Sequence, residues 1–460
     1  MGQPIVCTGT VTPGDQLTQK LVAFEVPVGT TSIHVQYSYT GREHGNAIDL
    51  GLLGVDKQFR GYSGGSKFDI FVANDTASPG YIAGLLGPGE WYVLLGVYHI
   101  TSPTVSYTVN ITLDDKPRPV FTSTPAPSRA QFSGDLKLRP GRRPKSRWLA
   151  GDFHAHTVYS DGKFTLPELA QKALARGIDF FFSTEHNTFS ANLAWGPHVP
   201  RNFLVGRGIE VTTTKAGHWN AIGLLPEQNI SPAIADESDM DASLVAAVED
   251  VHRSDGFAIL NHPFAECKCC DWTYSFHDVM DAIEVWNGPW RRHDDDESNE
   301  LAVEHWDALL REGRVFTATG GSDVHEHKFE IAEPVTRVLA EDVSVNAVIR
   351  GLRARHVYIT RHPAYQMDFV LVRGEKTAAI GDWLEPEAVT EVVAVVTLRG
   401  FPACETILIT DKGQVHRSDS AKLNVRVEHA EYVRVEVRTA DGDMLGMTNP
   451  IWILSSPVTA

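Results

Sequence analysis

Apolar and polar positions alternate with a different period in three successive stretches of the chain. Over residues 1–114, short apolar runs at 21–26, 32–38, 48–55, 68–72, 91–98 and 105–113 are divided by Gly, Pro, Asn and Asp. Within the last run Tyr107, Val109 and Ile111 alternate with Thr108 and Asn110, the period of a half-buried strand. Six or more such strands in so short a stretch predict a β-sandwich. Tyr37, Tyr39 and Trp91 could line a carbohydrate-binding face there, although most aromatics of a sandwich belong to its core.

Residues 115–147 break the pattern. Pro117, Pro119, Pro125, Pro127, Pro140 and Pro144, with Arg142, Arg143 and Lys145, read as an extended linker. From Trp148 onward strand and helix periods interleave. A strand is expected at 149–156, then a helix opened by the Thr165–Glu168 capping box and closed near Gly177. The nearly continuous apolar run at 178–184 suits a parallel strand covered on both faces. Further strands are expected at 203–209, 219–224, 257–260, 282–286 and 315–319, with helices at 241–252 and 298–311. Seven strands interleaved with helices predict a distorted, TIM-like (β/α)7-type barrel over 148–360. After a helical stretch at 345–353, strands at 366–372, 391–398, 406–409, 423–427 and 432–438, with an Asp441-Gly442 turn, predict a β-sandwich-like domain over 361–460. The expected fold class is therefore multidomain α/β.

Composition narrows the partners. With 41 basic and 58 acidic residues the net charge is −17, which argues against nucleic acid or an acidic membrane surface as a partner. No apolar run approaches the roughly 18 residues of a membrane span. Nothing at Met1-Gly2-Gln3-Pro4 reads as a secretory signal, so a cytoplasmic location is expected. Of the five cysteines, Cys7 and Cys404 stand apart while Cys267, Cys269 and Cys270 crowd one loop. Those three could form a structural zinc site with His277, or be reduced thiols beside an active site.

The chemistry concentrates in the middle stretch, where residues 149–330 hold 12 of the 19 histidines, so a scatter of surface histidines does not explain them. His154 and His156, two apart on a strand, point to one side and can grip one ion. Asp161, Glu185-His186, Glu210, His218, Asn261-His262-Pro263 and Asp323-Val324-His325 follow, most of them where another predicted strand ends. That is the face on which barrel enzymes do their chemistry. Imidazoles mixed with carboxylates suit Zn²⁺, Mn²⁺ or Fe²⁺, whereas Ca²⁺ wants oxygen throughout.

In this order the motifs resemble the polymerase-and-histidinol-phosphatase (PHP) superfamily of metal-dependent hydrolases. The flanking β-stretches, with residues 432–436 and 448–451, resemble more narrowly its branch that includes carbaryl hydrolases. The resemblance implies two to three divalent ions and nine metal ligands that act in catalysis through them. His154, His156, Glu210 and Asp323 would hold the first ion, and Glu210 would bridge to a second held by His218 and His262. Asp161, His186 and His325 would hold the third. Glu185 stands where the family usually has Asp, so an outer hydrogen bond would come from a longer arm. His218 could instead pack in the core or touch substrate.

The implied activity is hydrolysis of a small-molecule ester by a hydroxide that bridges two cations, with no serine or cysteine nucleophile. A phosphomonoester or phosphodiester is the leading substrate class, and a carbamate or carboxylic ester the alternative. A non-catalytic, metal-containing binding protein is the reading from another class. Trp195, Trp219, Trp272, Tyr274, Trp286 and Trp290 could give the site an aromatic mouth suited to an aryl ester. Lys163, Lys215, Arg291, Arg292 and Arg361 are candidate anion contacts, and His198 and His293 candidate substrate contacts. His252, His305, His327 and His356 are expected outside the site.

Overall fold

The computed structural model describes residues 4–114, 146–213, 215–230, 240–266, 270–275, 278–293, 296–385 and 391–453. The expected linker lies almost wholly outside them. In the N-terminal stretch the strands are β1 (Ile5–Val11), β2 (Thr18–Val26), β3 (Ser32–Tyr39), β4 (Ala47–Leu53), β5 (Phe59–Tyr62), β6 (Asp69–Ala73), β7 (Gly89–His99) and β8 (Val105–Asp114). They form two four-stranded antiparallel sheets, β1-β8-β3-β6 and β2-β7-β4-β5. Alternate residues of both sheets meet in one core: Val35 and Val109 from the first, Leu50 and Val93 from the second. Tyr37 and Trp91 belong to that core, which leaves neither of them to line a sugar-binding face.

The central run comprises β9 (Arg147–Asp152), β10 (Phe180–Ser183), β11 (Leu204–Thr212), β12 (His218–Ile222), β13 (Phe257–Leu260), β14 (Ala282–Asn287), β15 (Thr317–Gly321), β16 (Val335–Ala340) and β17 (Val357–Thr360). β9, β10 and β11 are parallel, as are β13, β14 and β15. Such strands are covered on both faces, and all four residues of β10 are buried. Around the run lie α1 (Leu166–Arg176), α2 (Ser190–Ala194), α3 (Met240–Arg253), α4 (Ser298–Arg311) and α5 (Val345–Arg353). The Thr165/Glu168 capping box opens α1, and Gly177, with φ 77°, closes it.

Strict alternation of strand and helix fails where β12 follows β11 directly. β12 runs antiparallel to both β11 and β13. β11 ends at Thr212 and β12 starts at His218, leaving five residues where a parallel crossover needs a dozen or more. The run curls on itself, because the chain beyond β15 returns to the chain beyond β9. Ala155 and Val324 form a parallel bridge, Asp323 N–H donates to the His154 carbonyl at 2.8 Å, and His156 N–H donates to that of Val324 at 3.2 Å.

Beyond residue 361 the strands are β18 (Gln366–Arg373), β19 (Lys376–Ala379), β20 (Val392–Arg399), β21 (Glu405–Thr410), β22 (Gly413–Ser418), β23 (Lys422–Val427), β24 (Tyr432–Arg438), β25 (Met444–Thr448) and β26 (Ile451–Trp452). β19-β18-β20-β23 make a sheet of their own. The rest are not separate from the centre as expected: β25 pairs with β17, so the central sheet continues through β24, β21 and β22. Among the described residues no helix is long and apolar enough to cross a membrane.

Candidate metal centre

Strand ends at one edge of the curled run deliver the candidate ligands. β9 stops at Asp152, short of the predicted end, yet extended pairing resumes at Ala155 and keeps His154 and His156 on one side. The buried Asp152 carboxylate pins this edge: Oδ1 accepts from the N–H groups of His154 and Ser322, both at 3.0 Å, and Oδ2 from that of Ala332 at 2.7 Å. His186 follows β10 and bridges to Glu210 within β11. His262 follows β13, and Asp323 and His325 follow β15. His218 opens β12, and since β12 is antiparallel its start lies where its neighbour β11 ends. Asp323 and His262 have left-handed φ of 50° and 23°, a local strain that surrounding contacts must hold in place.

Four donors converge at the bottom. His154 Nε2 lies 3.3 Å from both Glu210 Oε2 and Asp323 Oδ1, and His156 Nε2 lies 3.4 and 3.1 Å from the same two oxygens. For donors about 2.1 Å from a central ion, the edge of the tetrahedron is ~3.4 Å. All four atoms are buried; those of His154, His156 and Asp323 have no hydrogen-bond partner, and Glu210 Oε2 has only the His186 imidazole 2.8 Å away, a costly state for polar atoms that a shared cation would relieve. The set fits a divalent ion.

Second contacts fix the imidazoles in one orientation. His154 Nδ1 faces Glu284 Oε1 at 3.1 Å. His156 Nδ1 faces Ser160 Oγ at 3.4 Å, and that hydroxyl donates to Glu185 at 2.6 Å. His186 Nδ1 lies 2.6 Å from Thr212 Oγ1, and His325 Nδ1 lies 2.9 Å from the Asp323 carbonyl. With the proton held on Nδ1 in each ring, Nε2 presents its lone pair inward, the arrangement usual for metal-bound histidine.

Nearer the mouth, Asp161 Oδ1, also without a hydrogen-bond partner, lies 3.1 Å from His325 Nε2 and 3.5 Å from His186 Nε2. Together with His156 these could hold another ion. Between the two sets, His218 Nδ1 and His262 Nε2 each lie 3.2 Å from Glu210 Oε1. Those two contacts are ordinary hydrogen bonds and do not by themselves call for a cation. All nine sequence-predicted ligands thus meet in one place.

Their electrostatics are mutual. Burial alone would raise Glu210 and Asp323, but His154 and its neighbouring imidazoles hold both well below the usual carboxylate range. Burial would likewise lower His186 and His325; the carboxylates around them instead lift these rings to about 10 and about 9. His156 goes the other way, pushed down to about 3 by burial and by the charges of His325 and His186.

Sequence reading missed Glu284, a lone carboxylate in the apolar strand β14. It receives His154 on one oxygen, and on the other the His262 N–H at 3.1 Å and Asn287 Nδ2 at 3.0 Å. A buried charge inside Ala282-Ile283-Glu284-Val285-Trp286 was the available signal. Gly321 makes room for this contact, since a Cβ there would fall 2.4 Å from His154 Cβ and 2.5 Å from Glu284 Oε1. Glu185, by contrast, spends its carboxylate on Thr157 and Ser160.

Above the donors opens a cavity of about 350 Å³, whose wall includes Arg292, His293, Asn287 and Ser298. Among the described residues the expected aromatic mouth is absent from that wall: Trp219, Trp286, Trp290 and Tyr274 pack in the central core, Trp272 partly buried against it, and Trp195 under α1. Of the five candidate anion contacts, Arg292 lines the cavity, held by Asn287 Oδ1 at 2.5 Å and lying 3.7 Å from Asp323 Oδ2. Arg291 turns to Asp443 and Arg361 to Glu333, and Lys163 and Lys215 are not part of the cavity wall. His293 lines the cavity and His198 does not. His252 pairs with Asp281, His305 packs against Phe264, His327 against Phe164, and His356 pairs with Asp382, away from the site as expected. Cys270 also lines the cavity, close to His218 and His262. It is disulfide-bonded, so its sulfur is not the thiolate that a zinc ligand must be. Cys267, Cys269 and His277 lie outside the described residues.

No family model matches the chain, and no curated protein matches it. Solved structures do resemble it. One, from Bacteroides vulgatus, is a two-domain protein containing a predicted PHP-like metal-dependent phosphoesterase. It is 17% identical with a TM-score of 0.37, over 68% of this chain and 100% of that one. A metal-dependent phosphoesterase, so named provisionally, from Bifidobacterium adolescentis is 16% identical with a TM-score of 0.28, over 44% of this chain and 94% of its own. An amidohydrolase from Chromobacterium violaceum, with bound sulfate and no metal, is 18% identical with a TM-score of 0.27, over 46% and 97%. All three likenesses are distant.

Proposed function

We propose that the chain is a metal-dependent hydrolase of phosphoesters, with His154, His156, Glu210 and Asp323 holding one divalent ion, Asp161, His186 and His325 another, and His218 and His262 sharing Glu210 with a further one. The observation that carries this reading is the convergence of four buried donor atoms, with every imidazole-to-carboxylate distance between 3.1 and 3.4 Å, close to a tetrahedral edge. Bound divalent cations would supply Lewis acidity toward an ester oxygen and a lowered pKa for water. The residues themselves supply position. Glu284, Ser160 and Thr212 hold the imidazole rings in one orientation, so little reorganisation accompanies catalysis. Arg292, tethered by Asn287 at the cavity wall, is placed to pair with an anionic substrate oxygen. Among the described residues the wall carries imidazoles, carboxylates, Arg292 and amides and no tryptophan, which favours a phosphoester over an aryl carbamate. In this reading the curled sheet is a distorted PHP-type barrel whose hairpin β11–β12 replaces one β/α unit.

The test is elemental analysis of the purified chain together with hydrolysis of aryl phosphates, aryl phosphodiesters and aryl carbamates after metal restoration. Two to three ions per chain with phosphate release are the expected result. Cleavage of carbamates or carboxylic esters alone would replace the substrate class, and a chain that binds no ion would overturn the proposal.

A further inference from the structure

The N-terminal β-structure reaches the two loops that carry Asp161 and His186. Lys67 Nζ donates to the Ser160 carbonyl at 2.7 Å, and Ser66 Oγ, 2.8 Å from the same oxygen and 2.7 Å from the Ser63 carbonyl, shares its one proton between them. Ser160 immediately precedes Asp161, so the Lys67 ammonium, with the shared Ser66 hydroxyl beside it, fixes the peptide that aims this carboxylate. On the other loop, Thr188 Oγ1 donates to the Gly80 carbonyl at 2.9 Å, and the Phe189 ring packs on Phe59 with centroids 6.1 Å apart. At Gly80, with φ 96°, an added Cβ would lie 2.7 Å from the Tyr159 carbonyl oxygen, so the two segments touch there without room for a side chain. Leu53, Phe59, Tyr62 and Leu94 join the central apolar core, so the contact is continuous and not a polar brush.

We propose that Lys67 is a positioning residue for the Asp161, His186 and His325 ion site, so that the N-terminal β-structure is a working part of that site and not an appended binding module. This rests on the reading that ions occupy the centre. Lys67 would act through Ser160 and touch no ion. Its ammonium also lies within electrostatic reach of Asp161 and Glu185, which steadies a loop dense in carboxylates. The deeper set of His154, His156, Glu210 and Asp323 is delivered by the sheet itself and meets this clamp only where Ser160 Oγ faces His156 Nδ1 at the longer distance of 3.4 Å.

The experiment is titration of the ion-free full chain with Mn²⁺, reading free ion by electron paramagnetic resonance. The expected result for Lys67→Met is an about ten-fold or greater loss of affinity in the weakest class of site, with tighter sites within about three-fold. Lys67→Arg restores a donor for the Ser160 carbonyl and should stay within about three-fold of the parent at every site. Ser66→Ala removes one donor with less risk to folding, and should weaken the same class by about three-fold. Unchanged affinity in the weakest class for Lys67→Met and Ser66→Ala, or equal weakening of every class, would overturn the proposal. A parent chain that binds no Mn²⁺ would instead overturn the ion reading on which it rests.

Discussion

The deep quartet of His154, His156, Glu210 and Asp323 and the shallower trio of Asp161, His186 and His325 use the same chemistry but are built differently. The deep set is almost wholly buried and hangs from strand ends pinned by the Asp152 and Glu284 carboxylates. Asp161 and His186 stand on loops with partly exposed side chains, and the contacts that hold those loops come from a different part of the chain. A site fixed by its own sheet keeps its geometry when a domain contact loosens, whereas a site fixed by a docked neighbour does not. The two sets should therefore separate under mutation.

The largest effect is expected at the deep set. His156→Ala or Asp323→Ala should remove hydrolysis by ~10³-fold or more, the scale of several kcal/mol of lost cation stabilisation. The β-structure of the flanking stretches should persist, as read by circular dichroism and a thermal melt. Activity retained in a variant of verified ion content would sink the assignment. Glu284→Gln comes next, because it leaves His154 Nδ1 facing a neutral amide. An about 10–100-fold loss of the tightest ion is expected, the usual cost of an outer hydrogen-bond partner. The comparison breaks if the weaker ion is lost instead.

Protons mark both sets, since burial would lower His154 but the Asp323, Glu210 and Glu284 carboxylates hold it well above its ordinary value. In the ion-free chain His186 and His325, lifted to about 10 and about 9, are charged at pH 7. Their folded values lie above the ordinary 6.5, so the stability they contribute is full below 6.5 and is lost as pH rises through 9 to 10. His156, held down to about 3, works in the opposite sense, costing stability as pH falls from 6.5 toward 3. An ion at the trio must displace the protons of His186 and His325, so its affinity should climb with pH up to 9–10. Calorimetry with Mn²⁺ at pH 7, in two buffers of different ionisation enthalpy, should record more than one proton released per chain. Binding without proton release would show that the trio is neutral beforehand.

Much of this was legible before any coordinates, and for physical reasons. A capping box and a left-handed glycine mark both ends of α1, and apolar runs bounded by Gly, Pro or Asp mark β13, β14 and β24. The nine donors stood out because imidazole and carboxylate recur where apolar runs stop. The direction of β12 was not legible, since a five-residue buried strand reads the same either way and only the short connection reverses it. Nor was Glu284, whose partner His154 lies 130 residues away in the chain. The tryptophans misled because periodicity places them near the site without saying which face they take.

The smallest expected effect concerns Glu185, which stands where the resembled family has aspartate. Its arm does not reach His186; Oε1 takes the Thr157 hydroxyl at 2.6 Å, while Oε2 takes the Thr157 N–H at 3.1 Å and the Ser160 hydroxyl at 2.6 Å. These three donors belong to the turn that links His156 to Asp161, with the Ser183 hydroxyl of β10 a fourth at 3.3 Å, so the extra methylene spans from the end of β10 to that turn. Glu185→Asp should shorten the reach and cost one of these bonds, worth about 1.5 kcal/mol or more for a charged acceptor and partly recovered as the turn relaxes. The weaker ion should then lose about three- to ten-fold in affinity, because Asp161 follows the turn directly. The tightest ion should change less, because His156 meets Glu185 only through Ser160 Oγ, at the longer distance of 3.4 Å. Mn²⁺ titration of this variant beside the parent checks both statements. A loss confined to the tightest ion would mean that Glu185 serves the deep set through His156, and that the two sets are less independent than their construction implies.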